Sequence, residues 1–444
     1  MNVLIIYTNT YRMLAPAPLG ASLVAARLRR AGHRVQLLDL MFSRRPSRAA
    51  AEAVRDFRPD LIAFSIRNVD NQSSLYPYDP LPGLESIVAA ARAVSPAPAL
   101  LGGTAFTTFP VQYLARLGAE YGICGDDLEP IVRFVDSLAA GAPDWETPGL
   151  VYRAGGAVHR NPFTLRGYAG VGFEGWDLLD VRRYRQAPTV MWDVGLVART
   201  GCPFHCVFCD TFRTFGNQWV LRDPQQVAEE AGQVARLGAR RVFLADAGFN
   251  RPLGHAKAVL EALIRAGVRL RLTMIFEPGE MDAEFAALFR RAGGMDAMVF
   301  AGSLVDEVLA AGRKPFRVED VLRGSQILKQ AGVLTALFLT FGGPGETMAT
   351  AARTYAVAGA LQPAYSMVDY GLRIQPGTAL QRMAVAEGLL APDDDCFRPV
   401  TYCSPATPVE KLRPLVKGYE AGLARRSWRA LPWMAGLIWD KYRP

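Results

Sequence analysis

The most informative part of this sequence is RTGCPFHCVFCD, residues 199–210, which places Cys202, Cys206 and Cys209 in a C-x3-C-x2-C array. The apolar segment 190–198 in front of it predicts a strand. Iron–sulfur cubanes are held by cysteine thiolates, usually four of them. Three thiolates in one short loop can bind three irons of a cubane and leave the fourth iron open to an exogenous ligand. The array therefore predicts a [4Fe–4S] cluster with one accessible iron.

A zinc centre is the main alternative for these cysteines, since His205 lies inside the loop. A closed zinc site needs four ligands, and the spacing is unlike that of a paired-knuckle zinc motif. The six cysteines of the chain are too few for a disulfide scaffold at this length. Cys124, Cys396 and Cys403 are dispersed along the chain. We expect iron in the loop, and we expect the last two to be ordinary packing residues.

Strands and helices alternate downstream of the cysteine loop. Apolar runs predict further strands, with helical patterns between them, at 242–245, 270–275, 297–301, 335–340 and 366–374. Together with segment 190–198 they make a series of strand–helix units that predicts a partial (β/α)6 barrel. Chemistry in such barrels takes place at the carboxyl ends of the strands, and the cysteine loop falls at one of these ends.

The first 142 residues alternate in the same way and predict a separate doubly wound parallel sheet. Such sheets bind ligands at the carboxyl ends of their strands. A hairpin is predicted around Gly155–Gly156, followed by a linker rich in Gly, Pro and Trp. The predicted domains are the sheet 1–142, the hairpin and linker 143–187, the barrel 188–380 and a helical C-terminal segment 381–444.

Composition excludes several classes of protein. The net charge of +8 comes mostly from scattered basic residues, so no nucleic-acid surface is expected. No run of about eighteen apolar residues occurs, so no membrane span is expected. The N-terminus lacks the basic start of a signal peptide, which indicates a cytoplasmic protein. The segment 411–444 carries Trp428, Trp433 and Trp439 among arginines, and such a helix either lies on a membrane surface or packs on the barrel.

The cysteine loop resembles that of radical S-adenosylmethionine (SAM) enzymes, in which C-x3-C-x2-C follows the first barrel strand. In that family SAM chelates the open iron and is cleaved reductively to a 5′-deoxyadenosyl radical, with electrons from a donor such as flavodoxin or ferredoxin. The resemblance implies that Cys202, Cys206 and Cys209 are the cluster ligands. It also implies that Phe208, directly before the last cysteine, packs by the adenine of SAM.

Further motifs resemble those of the radical SAM subgroup with an N-terminal, Rossmann-like cobalamin-binding domain. FLADAGFNRP (243–252) is similar to the motif after the second barrel strand and implies that Asp246 and Asn250 lie near SAM. FGGPGET (341–347) resembles the glycine-rich motif of the fifth strand. It implies that Gly342 and Gly343 let the backbone approach the adenosyl group, because glycine has no side chain.

The end of the predicted barrel shows one match and one departure. GLRIQPGTAL (371–380) resembles the subgroup's sixth-strand ending and implies that Arg373 points into the barrel mouth, near the candidate catalytic residue Tyr370. The subgroup commonly has an ESGS-like stretch whose Glu contacts the SAM ribose, and here that stretch reads AGSLVDEVL (301–309). Gly302 stands where Glu is expected and only Ser303 remains, so the ribose contacts must come from elsewhere.

The same subgroup implies cobalamin, although the usual D-x-H-x-x-G loop is missing, since Asp39 is followed by Leu and Met. LLGGTAF (100–106) and YGICGDDLEP (121–130) resemble glycine turns of the subgroup. The residues that would lie against the nucleotide tail are Gly102, Gly103, Thr104 and Gly125. The alternative is that these are ordinary tight turns of a nucleotide-type fold.

SIRNVDN (65–71) follows the third predicted strand, where a cofactor face would lie, which makes Ser65 and Asn68 candidate cofactor-binding residues. An arginine near the lower cobalt face would disfavour coordination there and discourage loss of CH3 as a cation. Arg67 is therefore a candidate catalytic residue. A plain Arg–Asp salt bridge within the loop explains the sequence equally well.

Three functions are compatible with these patterns. The first is a cobalamin-dependent radical SAM methyltransferase acting on an unactivated carbon of a small-molecule or lipid-like substrate. The second keeps the cluster and radical but transfers no methyl group, as a lyase, dehydratase, cyclase or oxidoreductase does. The third is a non-catalytic corrinoid or redox-binding module, against which the cysteine loop argues.

Overall fold

The computed structural model describes residues 1–12, 16–168, 172, 174–186 and 192–426. The chain forms two compact units. The N-terminal unit comprises Met1–Asn71, Tyr78–Asp180 and Arg213–Gly216. The barrel unit comprises Gln72–Pro77, Val181–Phe212 and the residues from Asn217 onward.

The N-terminal unit is built on a seven-stranded sheet in the order β2-β1-β3-β4-β5-β6-β7. Its strands are β1 Asn2–Tyr7, β2 Arg34–Asp39, β3 Leu61–Ser65, β4 Ala99–Gly102, β5 Tyr121–Ile123, β6 Leu150–Ala154 and β7 Ala157–Arg160. Strands β1 to β5 are parallel, and the predicted hairpin β6–β7 continues the sheet antiparallel to β5. The order of the parallel strands is that of flavodoxin-like sheets, in which ligands bind where the strand order reverses.

Helices cover this sheet and explain why its strands are apolar. They are α1 Leu19–Arg30, α2 Pro46–Phe57, α3 Leu81–Arg92, α4 Thr104–Thr108, α5 Pro110–Leu117 and α6 Glu129–Ala139, with a 3-10 turn at Trp176–Leu178. In β3 the first four residues are buried, as expected for a strand covered on both faces. Val3, Ile5 and Leu61 pack with Phe134 of α6 in one core. The predicted doubly wound parallel sheet is confirmed.

The barrel unit contains six parallel strands in the order β15-β14-β13-β12-β11-β8. The strands of this unit are β8 Val194–Leu196, β9 Arg199–Thr200, β10 Val220–Leu221, β11 Arg241–Leu244, β12 Arg271–Phe276, β13 Gly294–Gly302, β14 Leu334–Phe341, β15 Tyr365–Tyr370, β16 Leu372–Arg373 and β17 Thr401–Tyr402. The short strands β9 and β10 pair with each other, as do β16 and β17. The predicted six-stranded parallel arrangement is confirmed.

Helices separate the barrel strands. They are α7 Val181–Gln186, α8 Thr211–Thr214, α9 Pro224–Arg236, α10 Leu253–Arg265, α11 Ala283–Arg291, α12 Asp306–Ala311, α13 Val318–Gln330, α14 Met348–Leu361, α15 Ala379–Ala386 and α16 Val409–Arg426. The start of α9 is fixed by Asp223, whose Oδ1 accepts from the backbone N–H groups of Gln225 at 2.8 Å and Gln226 at 3.0 Å. None of the helices in the described ranges is long and apolar enough to cross a membrane.

Two sequence predictions differ from the structure in detail. The predicted strand 366–374 is interrupted at Gly371, which has φ +70° and where a Cβ atom would collide with Thr401 Cγ2. The chain therefore turns there and begins β16. The predicted strand 190–198 is observed as β8, while residues 190 and 191 and the tryptophan-bearing segment 427–444 lie outside the described residues.

Candidate cluster and cofactor sites

The cysteine loop follows the short strand β9, which comes after the first barrel strand, β8. Cys202, Cys206 and Cys209 are half-buried with free thiols. The backbone N–H of Cys209 donates to the carbonyl of Cys206 at 3.1 Å, which folds the second half of the array into a turn. Val207 fixes this turn to two other parts of the unit, since its N–H donates to Gly312 O at 3.1 Å and its carbonyl accepts from Leu380 N at 2.8 Å. The loop is thus held at its centre by backbone bonds, and the Cys209 Sγ atom is hydrogen-bonded to Thr211 Oγ1 at 3.1 Å.

The thiols lie close enough to influence each other. Burial raises the pKa of Cys206 to about 11, with the positive Lys314 acting in the opposite direction and the other two cysteines raising it further. Burial also raises the pKa of Cys202. Binding to iron must therefore displace protons from these thiols.

The cysteine loop offers three thiol groups as donors for a metal cluster. Each thiolate of a cubane binds a different iron, and three thiolates leave one iron open. This donor set fits the [4Fe–4S] cluster that the sequence predicts.

Arg199 joins the cysteine loop to the loop after β11. It is 2% exposed. Its Nη1 donates to Gly201 O at 2.8 Å, and its Nη2 donates to Ala247 O at 2.8 Å and Gly248 O at 2.6 Å. The guanidinium also lies 5.6 Å from the ring centroid of Trp219. The sequence analysis missed this residue, although an arginine directly before a cluster loop was a visible signal.

Asp246 is buried beside this arginine, as the sequence led us to expect of a site residue. Its Oδ1 accepts from the backbone N–H groups of Ala198 at 2.9 Å and Arg199 at 3.1 Å. Burial raises its pKa to about 6, and the charge of Arg199 counteracts part of this effect. Its Oδ2 has no hydrogen-bond partner among the described residues. Buried polar atoms are seldom left unpaired, so this oxygen fits a polar ligand such as SAM.

Glu277 follows β12 directly and was also missed. It is 8% exposed, and burial raises the pKa of its carboxyl group. Its Oε2 lacks a hydrogen bond within the part of the chain that the structure describes, although Arg251 Nε lies 3.4 Å away. A charged residue at the end of a barrel strand was the available signal.

Asn250 and Ser303 bond to neighbouring parts of the protein. The Asn250 amide donates to Glu277 O and Glu280 O, both at 2.7 Å, and accepts from Glu277 N at 2.9 Å. Ser303 Oγ is hydrogen-bonded to Thr354 Oγ1 at 2.9 Å. Their observed partners lie within the protein, so contact with SAM stays a prediction for both.

Gly342 lies where the backbone conformation favours glycine, and its approach to SAM stays a prediction. A Cβ atom there would lie 2.9 Å from Leu412 Cδ2, and its φ is +88°. Gly343 has more room, since its nearest neighbour would be Leu372 Cδ1 at 3.7 Å. The loop is closed by Glu346, whose buried carboxylate accepts from Gly342 N.

Arg373 is held by backbone carbonyls at the end of the barrel sheet, and its position at the barrel mouth stays a prediction. It is 7% exposed, and its guanidinium donates to Ile374 O and, at 2.8 Å, to Cys396 O. It therefore ties β16 to the segment before β17. Tyr370 is buried at the end of β15, opposite Phe341 in the sheet.

The aromatic residue of the cysteine loop lies on an apolar cluster. Phe208 packs against the group that contains Val207, Ile374 and Leu380. The Lys314 ammonium lies 4.9 Å from the Phe208 ring centroid. One face of the loop is thus apolar and aromatic, as a site for adenine requires.

In the N-terminal unit, candidate residues line the carboxyl edge of the parallel strands. Ser65 ends β3 and Gly102 ends β4, and the two are paired in register. Ser65 O accepts from Thr8 Oγ1 at 2.9 Å. Arg67 is exposed, and its Nη1 donates to Asn68 Oδ1 at 2.7 Å. This polar edge is where a parallel sheet of this order binds its ligand.

Gly103 and Gly125 have backbone conformations that favour glycine, and their contact with the nucleotide tail stays a prediction. Gly103 has φ +102°, and a Cβ atom there would lie 2.5 Å from Ile66 O. Gly125 also has φ +102°, and its Cβ would lie 3.1 Å from Phe163. Thr104 begins α4, and its carbonyl accepts from Thr108 Oγ1 at 3.0 Å. Gly102 alone of these three glycines has ordinary space around it, with Ile123 O at 3.9 Å.

Comparison with known families gives two matches on this one chain. The B12 binding domain model matches residues 14–135, and the radical SAM superfamily model matches residues 197–358. The chain belongs to the radical SAM enzymes that carry a cobalamin-binding domain. Membership confirms the resemblance inferred from the cysteine loop, together with the cofactors it implies: a [4Fe–4S] cluster, SAM and cobalamin.

Individual members of this family resemble the chain over much of its length. Tryptophan 2-C-methyltransferase of Streptomyces laurentii is 25% identical over 403 residues, which cover 75% of this chain and 66% of that protein. Hopanoid C-3 methylase of Methylococcus capsulatus is 24% identical over 60% of this chain and 48% of its own length. The structure of the radical SAM methyltransferase TsrM from Kitasatospora setae, with cobalamin and [4Fe–4S] cluster bound, has a TM-score of 0.82 at 22% identity, covering 96% of this chain and 88% of that one. That likeness confirms the fold.

Proposed function

We propose that this protein is a cobalamin-dependent radical SAM methyltransferase that methylates a carbon of an apolar small molecule. The observation that carries the proposal is the presence of both family domains on one chain, with the C-x3-C-x2-C loop at the carboxyl end of the barrel sheet. When bound, the cluster and SAM supply the radical that removes hydrogen from carbon, and cobalamin carries the methyl group.

The chain's own residues would then have distinct tasks. Cys202, Cys206 and Cys209 hold the cluster, while Arg199 fixes their loop to the one that carries Asp246. Phe208 offers the adenine an apolar surface. In the N-terminal unit, Arg67 is an exposed cation at the carboxyl edge of the sheet, where its positive charge would act on bound cobalamin.

A pair of aromatic rings on two barrel strands favours an apolar substrate over a polar one. Phe300 of β13 and Phe338 of β14 are opposite each other in register and stacked, with ring centroids 4.3 Å apart. Phe300 is 42% exposed, whereas Val299 and Ala301 on either side of it are fully buried. Side chains alternate across a strand, so Phe300 lies on the face that the barrel helices do not cover. We propose that this ring pair contacts the substrate, a class that includes tryptophan and hopanoids, the compounds in the names of two relatives.

The test begins with anaerobic purification and cluster reconstitution, followed by iron analysis and an absorbance spectrum for corrinoid. The loaded protein is then incubated with a reductant, cobalamin and SAM carrying a deuterated methyl group, with tryptophan and other apolar ring compounds as substrates. Mass spectrometry measures S-adenosylhomocysteine, 5′-deoxyadenosine and labelled product. The matched control is the Cys202→Ala, Cys206→Ala, Cys209→Ala variant.

Each function predicts a different result. A methyltransferase gives S-adenosylhomocysteine, 5′-deoxyadenosine and a product that carries the label. A lyase, dehydratase, cyclase or oxidoreductase gives 5′-deoxyadenosine without label transfer, and a binding module gives none of these products. Full iron content and turnover in the triple-cysteine variant would refute the proposal.

The setting of the enzyme is part of the proposal. We infer a flavodoxin or ferredoxin as electron donor, since the cluster must be reduced. We also infer a cytoplasmic location, because the reducing cytoplasm keeps thiols free and all six cysteines have free thiols. Contact with a membrane surface through the C-terminal segment stays a prediction, because its tryptophans lie outside the described residues.

A further inference from the structure

Position 302 is occupied by a glycine whose backbone conformation disfavours the expected glutamate. Gly302 ends β13 with φ +77°, a region that residues with a Cβ atom rarely adopt. Lys314 lies next to this position, because a Cβ atom at 302 would be in ordinary contact with Lys314 Cε, at 3.8 Å. A lysine from another loop thus lies beside the place where a carboxylate side chain would begin.

The loop after α12 holds Lys314 in this place. The N–H of Arg313, which has φ +51°, donates to Ala310 O at 2.9 Å, and the N–H of Lys314 donates to Leu309 O at 2.9 Å. Gly312 O accepts from Val207 N at 3.1 Å, so this loop is fastened directly to the cysteine loop.

The ammonium group of Lys314 lies at the aromatic side of the cysteine loop. It is 4.9 Å from the Phe208 ring centroid and 5.7 Å from that of Phe316. It donates one hydrogen bond, to Phe300 O at 3.2 Å, and an ammonium group has three donors. Burial raises the pKa of Cys206, and the nearby charge of Lys314 counteracts part of this effect.

We propose that Lys314 binds the nucleoside part of SAM and replaces the glutamate contact that Gly302 cannot make; this inference rests on the proposed function. An ammonium group donates hydrogen bonds and accepts none, so its partner is an acceptor oxygen or nitrogen of the nucleoside. The sulfonium end of SAM is positive and repels a second cation. Phe208, which the ammonium group faces, is the residue assigned to adenine.

The test measures binding, without turnover. Equilibrium dialysis of the anaerobically reconstituted protein gives the Kd of SAM, of 5′-methylthioadenosine, which lacks the amino acid, and of methionine, which lacks the nucleoside. We expect Lys314→Met to weaken SAM and 5′-methylthioadenosine by the same factor, about tenfold, as for one lost hydrogen bond to a charged group. Methionine binding should not change.

Two variants control for packing and charge. Lys314→Gln keeps a hydrogen-bond donor and should restore most of the affinity, whereas Lys329→Met removes an exposed lysine of α13 and should behave as the unmodified protein. Unchanged 5′-methylthioadenosine binding in Lys314→Met, or a loss confined to SAM, overturns the proposal. If the unmodified protein fails to bind SAM at all, the proposed function itself fails; iron analysis of each variant shows whether the cluster was loaded.

Discussion

Replacing Arg199 tests how the cysteine loop is held. In Arg199→Lys the charge remains, but an ammonium group cannot reproduce the planar fork that reaches the carbonyls of Gly201, Ala247 and Gly248. If lysine keeps one of these bonds, two are lost at about 1.5 kcal/mol each, or about 3 kcal/mol in all. For a unit of this size that corresponds to a fall of about 6–12 °C in Tm.

The substitution should lower the iron content of the reconstituted protein by more than its loss of folding stability explains. We expect less than about half of the unmodified iron content after reconstitution of Arg199→Lys, measured by iron analysis and the charge-transfer absorbance of the cluster. The matched control is Arg222→Lys, because Arg222 is equally buried but bonds to Val197 O at 2.6 Å and Glu230 Oε2 at 2.7 Å. The control should lose stability and keep its iron. A normal iron content and a normal Tm in Arg199→Lys would show that Arg199 does not hold the cysteine loop in place.

Three further predictions concern Glu346, Phe300 and the two glycines at the end of β4. Burial raises the pKa of Glu346 from 4.5 to about 7. Its contribution to stability is therefore present below pH 4.5 and is lost as the pH rises through 7, a decrease of about 3 kcal/mol in the free energy of unfolding. Urea denaturation of Glu346→Gln at a series of pH values should not show this decrease. Phe300→Ala should raise the KM for an apolar substrate about tenfold and leave the Kd of SAM unchanged, and an unchanged KM would remove the ring pair from the substrate site. Gly103→Ala should destabilise the protein by about 1–3 kcal/mol, because residue 103 has a positive φ and a Cβ atom there would collide with Ile66. Gly102→Ala should fold normally but bind less corrinoid, which absorbance spectra would show.

Periodicity and spacing predicted the architecture well because both units depend on buried parallel strands. The apolar runs at 61–65 and 335–340 correspond to β3 and β14, whose neighbours on both sides exclude water. The break at Gly371 could not be predicted, because it results from contact with Thr401, about thirty residues further along the chain. The cysteine array identified the loop that carries the candidate cluster site for a simpler reason: its ligands are adjacent in sequence.

The surroundings of the cluster were harder to predict because they are assembled from separate loops. Asn250 and Arg373 belong to motifs that point to the correct end of the barrel, yet the observed bonds of both go to backbone groups of neighbouring segments. Lys314 and Glu277 belong to no motif, and only folding places them beside the cysteine loop.

A motif residue therefore identifies the loop that forms a site more reliably than it identifies the atom that touches the ligand. The difference has a physical cause: a loop at the end of a barrel strand must satisfy its backbone groups before it can present side chains to a ligand. Asn250 makes three hydrogen bonds to the loop after β12, and the carboxylate of Asp246 uses one oxygen on the backbone before the cysteines and keeps the other unpaired. Three residues should accordingly be tested first for contact with SAM. Asp246 and Glu277 each have a carboxylate oxygen without a hydrogen bond among the described residues, and the ammonium group of Lys314 donates one hydrogen bond.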